Sequence, residues 1–190
     1  MMSSTQEPIF FDMETMGLYP TREKILTINL RYRGENIIFK EWEKGEKAII
    51  EQFYEFTNKI NRKYTKFVGF NILEFDVLFL LERLNHQNYN EREINRRWER
   101  FGSSLAYIDL RQVLGDSFNK FVEQKDNYID DKSDLIGNII PNLYGKGEYT
   151  KIEECINDEL QHIEKMYDMI KKEPFYQELQ KLQDYYLSDN

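Results

Sequence analysis

Ile9-Phe10-Phe11-Asp12-Met13-Glu14-Thr15-Met16-Gly17-Leu18 is the stretch on which the fold turns. Its apolar half, with Pro8 ahead of it, predicts a buried strand over 8–13. Alternate side chains of a strand share a face, so Asp12 and Glu14 point one way and Met13 points into the core. Two carboxylates side by side repel and resist joint ionisation unless a cation lies between them. The pair is therefore a candidate divalent-metal site, held rigid by the run before it. Gly17 supplies a tight turn close to whatever such ions bind.

The segments beyond it place the pair in a sheet. Lys24–Tyr32 alternates, with Ile25, Thr27, Asn29 and Arg31 on one side and Leu26, Ile28, Leu30 and Tyr32 on the other. Gly34-Glu35-Asn36 is a turn, and Asn36–Lys40 is the hairpin partner. Gly45–Ile60 carries apolar residues at helical spacing, Lys66–Asn71 is a short buried strand, Glu74–Leu84 is an apolar helix, and Leu105–Leu110 is a fifth strand. A loop is expected at 125–132 and a turn near 134–139. A long helix is expected over Tyr149–Ile170 and a final helix over 174–187. The order β-β-β-α-β-α-β-α gives an α/β fold, a mixed five-stranded sheet flanked by helices. One domain over 1–190, with its core at about 8–170, is expected.

Composition narrows the chemistry. The 190 residues hold 34 Asp+Glu against 26 Lys+Arg, a net charge of −8, which excludes a broadly basic nucleic-acid binder. Hydrophobic residues at 41% and aromatics at 15% argue against disorder. One cysteine and two histidines rule out an intramolecular disulfide and leave too few ligands for a zinc cluster. A metal site must then be built of carboxylates, which suits Mg²⁺ or Mn²⁺. The apolar stretch Val77–Leu81 is too short to span a bilayer, and no signal peptide is evident at the N-terminus, so a cytoplasmic location is expected. The last forty residues hold ten acidic side chains against five basic ones. Lys59, Arg62, Lys63 and Lys66 form one basic group. Arg92, Arg96 and Arg100, with Arg97 and Trp98 beside them, form a candidate phosphate-and-base track on one helix face.

Two further acidic elements follow. Gly69-Phe70-Asn71-Ile72-Leu73-Glu74-Phe75-Asp76 sets Asp76 in the first turn of a helix, where the helix dipole also favours an acid. Glu154-Cys155-Ile156-Asn157-Asp158 lies on the long helix, with Asp158 expected inward beside Cys155 and His162.

Together with F-F-D-M-E-T-M-G-L these elements resemble the DEDD 3′→5′ exonucleases of the ribonuclease H-like fold. The likeness is to the branch of DNA-polymerase-B proofreading domains and their free-standing relatives. The strand Tyr107-Ile108-Asp109-Leu110 adds to it. The resemblance implies that Asp12, Glu14, Asp76 and Asp158 bind two Mg²⁺ or Mn²⁺ ions, with Asp12 bridging them. It implies that Thr15, Met16, Gly17, Leu18, Asn71 and Phe75 hold the 3′-terminal nucleotide of a single strand. The chain departs from the family in one respect. A Tyr four residues, or a His five residues, before the last Asp orients the attacking water in the family, and Glu154 and Glu153 stand there instead. Glu154 or His162 could take that task. Alternatively Asp168, six residues after His162, is the last ligand. The competing expectation is a module of the same fold that binds nucleic acid or protein without catalysis. DNA versus RNA, a protein partner and a homo-oligomer are all left open at this level.

Overall fold

The computed structural model describes residues 8–60, 65–115, 132–174 and 176–177. Arg62, Lys63, all but the last residue of the loop expected at 125–132, and most of the helix expected at 174–187 lie outside them.

Three strands open the fold: β1 (Ile9–Thr15), β2 (Ile25–Tyr32) and β3 (Glu35–Lys40). They pair antiparallel, and the β2–β3 turn is Arg33-Gly34, both at positive φ. That backbone matches the twist of a two-residue hairpin. After α1 (Glu41–Lys44) and α2 (Glu46–Lys59) comes β4 (Lys66–Gly69), parallel to β1. Next are α3 (Asp76–Asn85), α4 (Glu91–Trp98) and β5 (Ala106–Asp109), parallel to β4. The described chain continues with α5 (Leu110–Leu114), α6 (Lys132–Lys146) and α7 (Tyr149–Ile170). The sheet order is β3-β2-β1-β4-β5, the mixed five-stranded sheet expected.

Each face of the sheet buries its own core. Phe11, Ile28, Leu30 and Phe67 pack with Phe53 of α2 and Leu80 of α3. Phe11 and Phe53 stack at 5.5 Å between ring centroids. On the other face Phe10, Leu26 and Val68 meet Leu110 and the α7 stripe Ile152, Ile156, Leu160, Ile163, Tyr167 and Ile170. Asp12 and Glu14 share the strand face of Phe10, so they look towards α7.

Beside the hairpin turn, which lies at Arg33-Gly34 with Glu35 and Asn36 already in β3, three details differ from the sequence expectation. Glu14 pairs with Thr27 but Thr15 pairs with Ile25, so Leu26 is an extra residue in β2. This bulge moves Leu26 to the α7 face and Ile25 to the other, breaking the expected alternation beside the acidic pair. The turn expected near 134–139 is part of α6, where Leu135, Ile136, Ile139 and Ile140 recur at helical spacing. Beyond α4 the chain makes a π-helical turn, Glu99–Ser103. The wider turn shifts the helix phase, and Arg100 is buried rather than aligned with the exposed Arg92 and Arg96. Arg97 is buried too, 2.5 Å from Glu51 and stacked on Tyr89. The expected phosphate track therefore keeps only Arg92 and Arg96 at the surface, with Trp98 beside them.

Candidate metal centre

Asp12, Glu14 and Glu159 each bring a carboxylate oxygen within 4.8 Å of the others. β1 supplies the first two and α7 the third. Three contacts hold α7 against the β2–β3 hairpin: Arg31 to Glu164 at 2.6 Å, Lys40 to Glu153 at 2.7 Å, and Asn36 to Asn157 at 2.6 Å. With the buried stripe they fix the rotation of α7 about its axis, and that rotation aims Glu159 at β1.

Asp76 is the fourth acid. It is buried, and the Met13 amide donates to its Oδ1 at 2.8 Å. The turn that delivers it is tightly built. Asn71 has φ +60, a left-handed conformation that Asn tolerates better than most residues. Buried Asp109, at the end of β5, accepts from the amides of Asn71 and Leu73, each at 2.9 Å. Gly69 precedes this turn because a Cβ there would lie 2.3 Å from the Phe11 carbonyl oxygen and 2.4 Å from Ile72 Cγ2.

The electrostatics are those of like charges withdrawn from water. Burial raises Asp12, while hydrogen bonds from Asn29 and the Met13 amide hold it back. Burial, then Asp12, Glu159 and Asp76, push Glu14 well above the ordinary carboxylate range. Burial and Asp12 do the same to Asp76. Glu159 is pushed up to about 8 by burial and by Asp12. Oxygen donors crowded this way suit a hard divalent cation, whose charge would let all of them ionise.

The sequence-expected residues fall into two groups. Asp12, Glu14 and Asp76 come together. Asp158 does not join them: it is exposed on α7, and Glu159 takes the inward position. At 100° per residue Asp158 sits about 150° from the middle of the apolar stripe. Asp168 is exposed and bonded to Lys171 at 2.7 Å. Glu154 and His162 are exposed, and half-buried Cys155 stands one turn before Glu159. Around the rim, buried Thr15 donates to the Gly17 carbonyl at 2.6 Å. Gly17 packs against the Glu23 side chain. Met16 and Leu18 are exposed, Leu18 at 72%. Half-buried Phe75 packs against Phe79.

Two residues that sequence reasoning passed over support the acids. Asn29, fully buried and paired with Asp12 in the β1–β2 register, donates from Nδ2 to Asp12 Oδ2 at 3.0 Å. Asp109 anchors the Asn71 turn. Asn29 had a signal, a polar residue within an otherwise apolar strand. Asp109 had its place at the end of the strand Tyr107-Ile108-Asp109-Leu110, which carries part of the resemblance.

The family model described as the RNase_H superfamily matches residues 9–165. The chain belongs to the RNase_H superfamily. Its motif resemblance is thus borne out at the level of family and fold. In fold the chain is similar to the family B DNA polymerase from the hyperthermophilic archaeon Pyrobaculum calidifontis. The identity is 13% and the TM-score 0.62, over 86% of this chain and 24% of the polymerase. It is also similar to E. coli exonuclease I. In complex with a dA16 oligonucleotide that protein gives 15% identity and TM-score 0.44, over 56% of this chain and 28% of that one. In the apo form it gives 14% and 0.46, over 66% and 33%. The chain thus spans a quarter to a third of the length of these proteins. No curated protein matches the sequence. Among the described residues no helix is long and apolar enough to cross a membrane.

Proposed function

We propose that this RNase_H-superfamily chain is a metal-dependent 3′→5′ exonuclease, hydrolysing single-stranded DNA or RNA ends to nucleoside 5′-monophosphates. One observation carries the reading: Asp12, Glu14 and Glu159 bring carboxylate oxygens within 4.8 Å of one another, with Asp76 beside them. A cluster of buried like charges costs stability unless a cation or a proton resolves it.

Asp12, Glu14, Asp76 and Glu159 would hold Mg²⁺ or Mn²⁺, two ions in the reading the resemblance supports. Divalent ions bound there supply charge stabilisation at the phosphoryl oxygens and acidify water. The remaining tasks belong to the chain. Asn29 fixes the Asp12 carboxylate by bonding Oδ2. The Met13 amide fixes Asp76 through Oδ1. Exposed Leu18 and the ring of Phe75 offer apolar surface to a terminal base, and Asn71 would offer its side-chain Nδ2 to the sugar-phosphate.

The test is purified protein with Mn²⁺ and a 5′-labelled single strand. A ladder shortening from the 3′ end is expected, and Asp12→Asn should abolish it. If neither labelled DNA nor RNA is degraded with Mg²⁺ or Mn²⁺, the exonuclease reading is wrong.

A second reading has one observation in its favour. One turn before Glu159, where the family resemblance calls for the water-orienting Tyr, stands Cys155. A chain that kept the carboxylates for binding alone would hold the strand without cutting it.

A further inference from the structure

β1, β4 and β5 run parallel, so their carboxyl ends share one edge of the sheet. Ligands of α/β sheets bind along that edge. β1 brings Asp12 and Glu14 towards it, β4 leads to the Asn71 turn, and β5 ends at Asp109, two residues before Arg111. Asp109 Oδ1 accepts from two amides, Asn71 at 2.9 Å and Arg111 at 3.0 Å. One buried carboxylate therefore ties both residues to the same point. The Arg111 side chain then reaches back, and its Nη1 donates to Asn71 Oδ1 at 2.8 Å.

Among four described arginines with an ion pair, this guanidinium has the longest one. Arg31, Arg83 and Arg97 each bond a carboxylate, at 2.6, 2.6 and 2.5 Å. The short bond of Arg111 goes to a neutral amide oxygen. Its nearest ion-pair partner among the described residues, Glu74, is 3.8 Å away, and both side chains are more than half exposed. An exposed pair at that distance is worth little. Among the described residues its one short side-chain bond is that to Asn71, so Arg111 presents a charge open to an anion, with donors to spare. It does so beside Asn71, at the edge where an acidic centre would otherwise repel a nucleic-acid backbone.

We infer that Arg111 is the phosphate-contacting residue of this site. It would hold a backbone phosphate of the single strand through paired N–H donors, positioned by Asp109 and Asn71. The inference rests on the nucleic-acid reading above, but not on catalysis. Fluorescence anisotropy of a 5′-labelled single-stranded oligonucleotide in EDTA, where the strand stays intact, measures binding alone. Arg111→Ala should weaken binding about tenfold and make the slope of log K against log salt shallower by about 0.7, the value for one phosphate contact on a single strand. Arg111→Lys should restore the slope, because a point charge releases the same counterion, while recovering only part of the affinity. Unchanged affinity and slope in Arg111→Ala would overturn the inference, as would absence of saturable binding by the wild type. Arg111-dependent binding without cleavage in Mg²⁺ or Mn²⁺ would uphold Arg111 and overturn only the exonuclease reading.

Discussion

The amide of Met13 donates to the carboxylate of Asp76 at 2.8 Å, across 63 residues of chain. Met13 lies between the two acids of β1, so this bond ties α3 to the centre of the candidate site. It also commits Oδ1 of Asp76 to the backbone, while the carboxylate still feels the charge of Asp12.

Asp76 therefore has two separable roles. Asp76→Asn keeps an oxygen acceptor for the Met13 amide and removes a buried like charge. Its metal-free melting temperature should equal or exceed that of the wild type, while stabilisation by Mn²⁺ and nuclease activity are lost. Asp76→Ala leaves a buried amide unpaired, at about 1–3 kcal/mol. Thermal melts with and without Mn²⁺ separate the two.

The raised carboxyls set a pH dependence with a definite sign. Glu159 is pushed from 4.5 to about 8, and Glu14 and Asp76 also move upward. The metal-free native state then holds more protons than the unfolded chain between these limits, so its stability falls as pH rises. That contribution is complete below about pH 4.5, the ordinary value for Glu, and is gone above the folded value near 8. Melting in EDTA from pH 5 to 9 should show a decline of several degrees, at about 2–4 °C per kcal/mol for a chain of this size. Mn²⁺ should raise the melting temperature more at pH 8 than at pH 6, because the ion competes with those protons.

Gly69 is required by space. A Cβ there meets the Phe11 carbonyl oxygen at 2.3 Å and Ile72 Cγ2 at 2.4 Å. Gly69→Ala should destabilise by about 1–3 kcal/mol, the range for overpacked cores. A chemical-denaturation midpoint lowered without a change in slope is the expected signature.

Much of this was legible in the sequence, and the exceptions have local causes. Asp12, Glu14 and Asp76 were readable because strand parity and a helix start fix their direction from neighbours alone. Glu159 was not assigned, although its signal was present. The apolar stripe Ile152, Ile156, Leu160, Ile163 runs beside Glu159 and away from Asp158. A motif spacing outweighed that helical phase. The bulge at Leu26 and the π turn at 99–103 each insert one residue into a regular repeat, and periodicity alone carries no mark of such an insertion. Arg97 and Arg100 sat in a charged run that reads as surface, yet both are buried.

Cys155 offers a gain-of-function test. It is half-buried one turn before Glu159, and it feels the charge of Glu159 among the acids around it. Cys155→Tyr should raise the Mn²⁺-dependent rate if the site lacks the water-orienting group that the motif resemblance implies. An unchanged rate in a variant that melts like the wild type would show that this position does not govern water.

The most direct measurement compares Glu159→Gln with Asp158→Asn in Mn²⁺-dependent cleavage of a 5′-labelled single strand. Glu159 closes the carboxylate cluster, whereas Asp158 is exposed on the same helix. The expected result is loss of at least about 100-fold in Glu159→Gln, equivalent to roughly 2.7 kcal/mol of transition-state stabilisation, with Asp158→Asn close to the wild type. Full activity in Glu159→Gln, or its loss in Asp158→Asn alone, would contradict the site as built here from Asp12, Glu14 and Glu159.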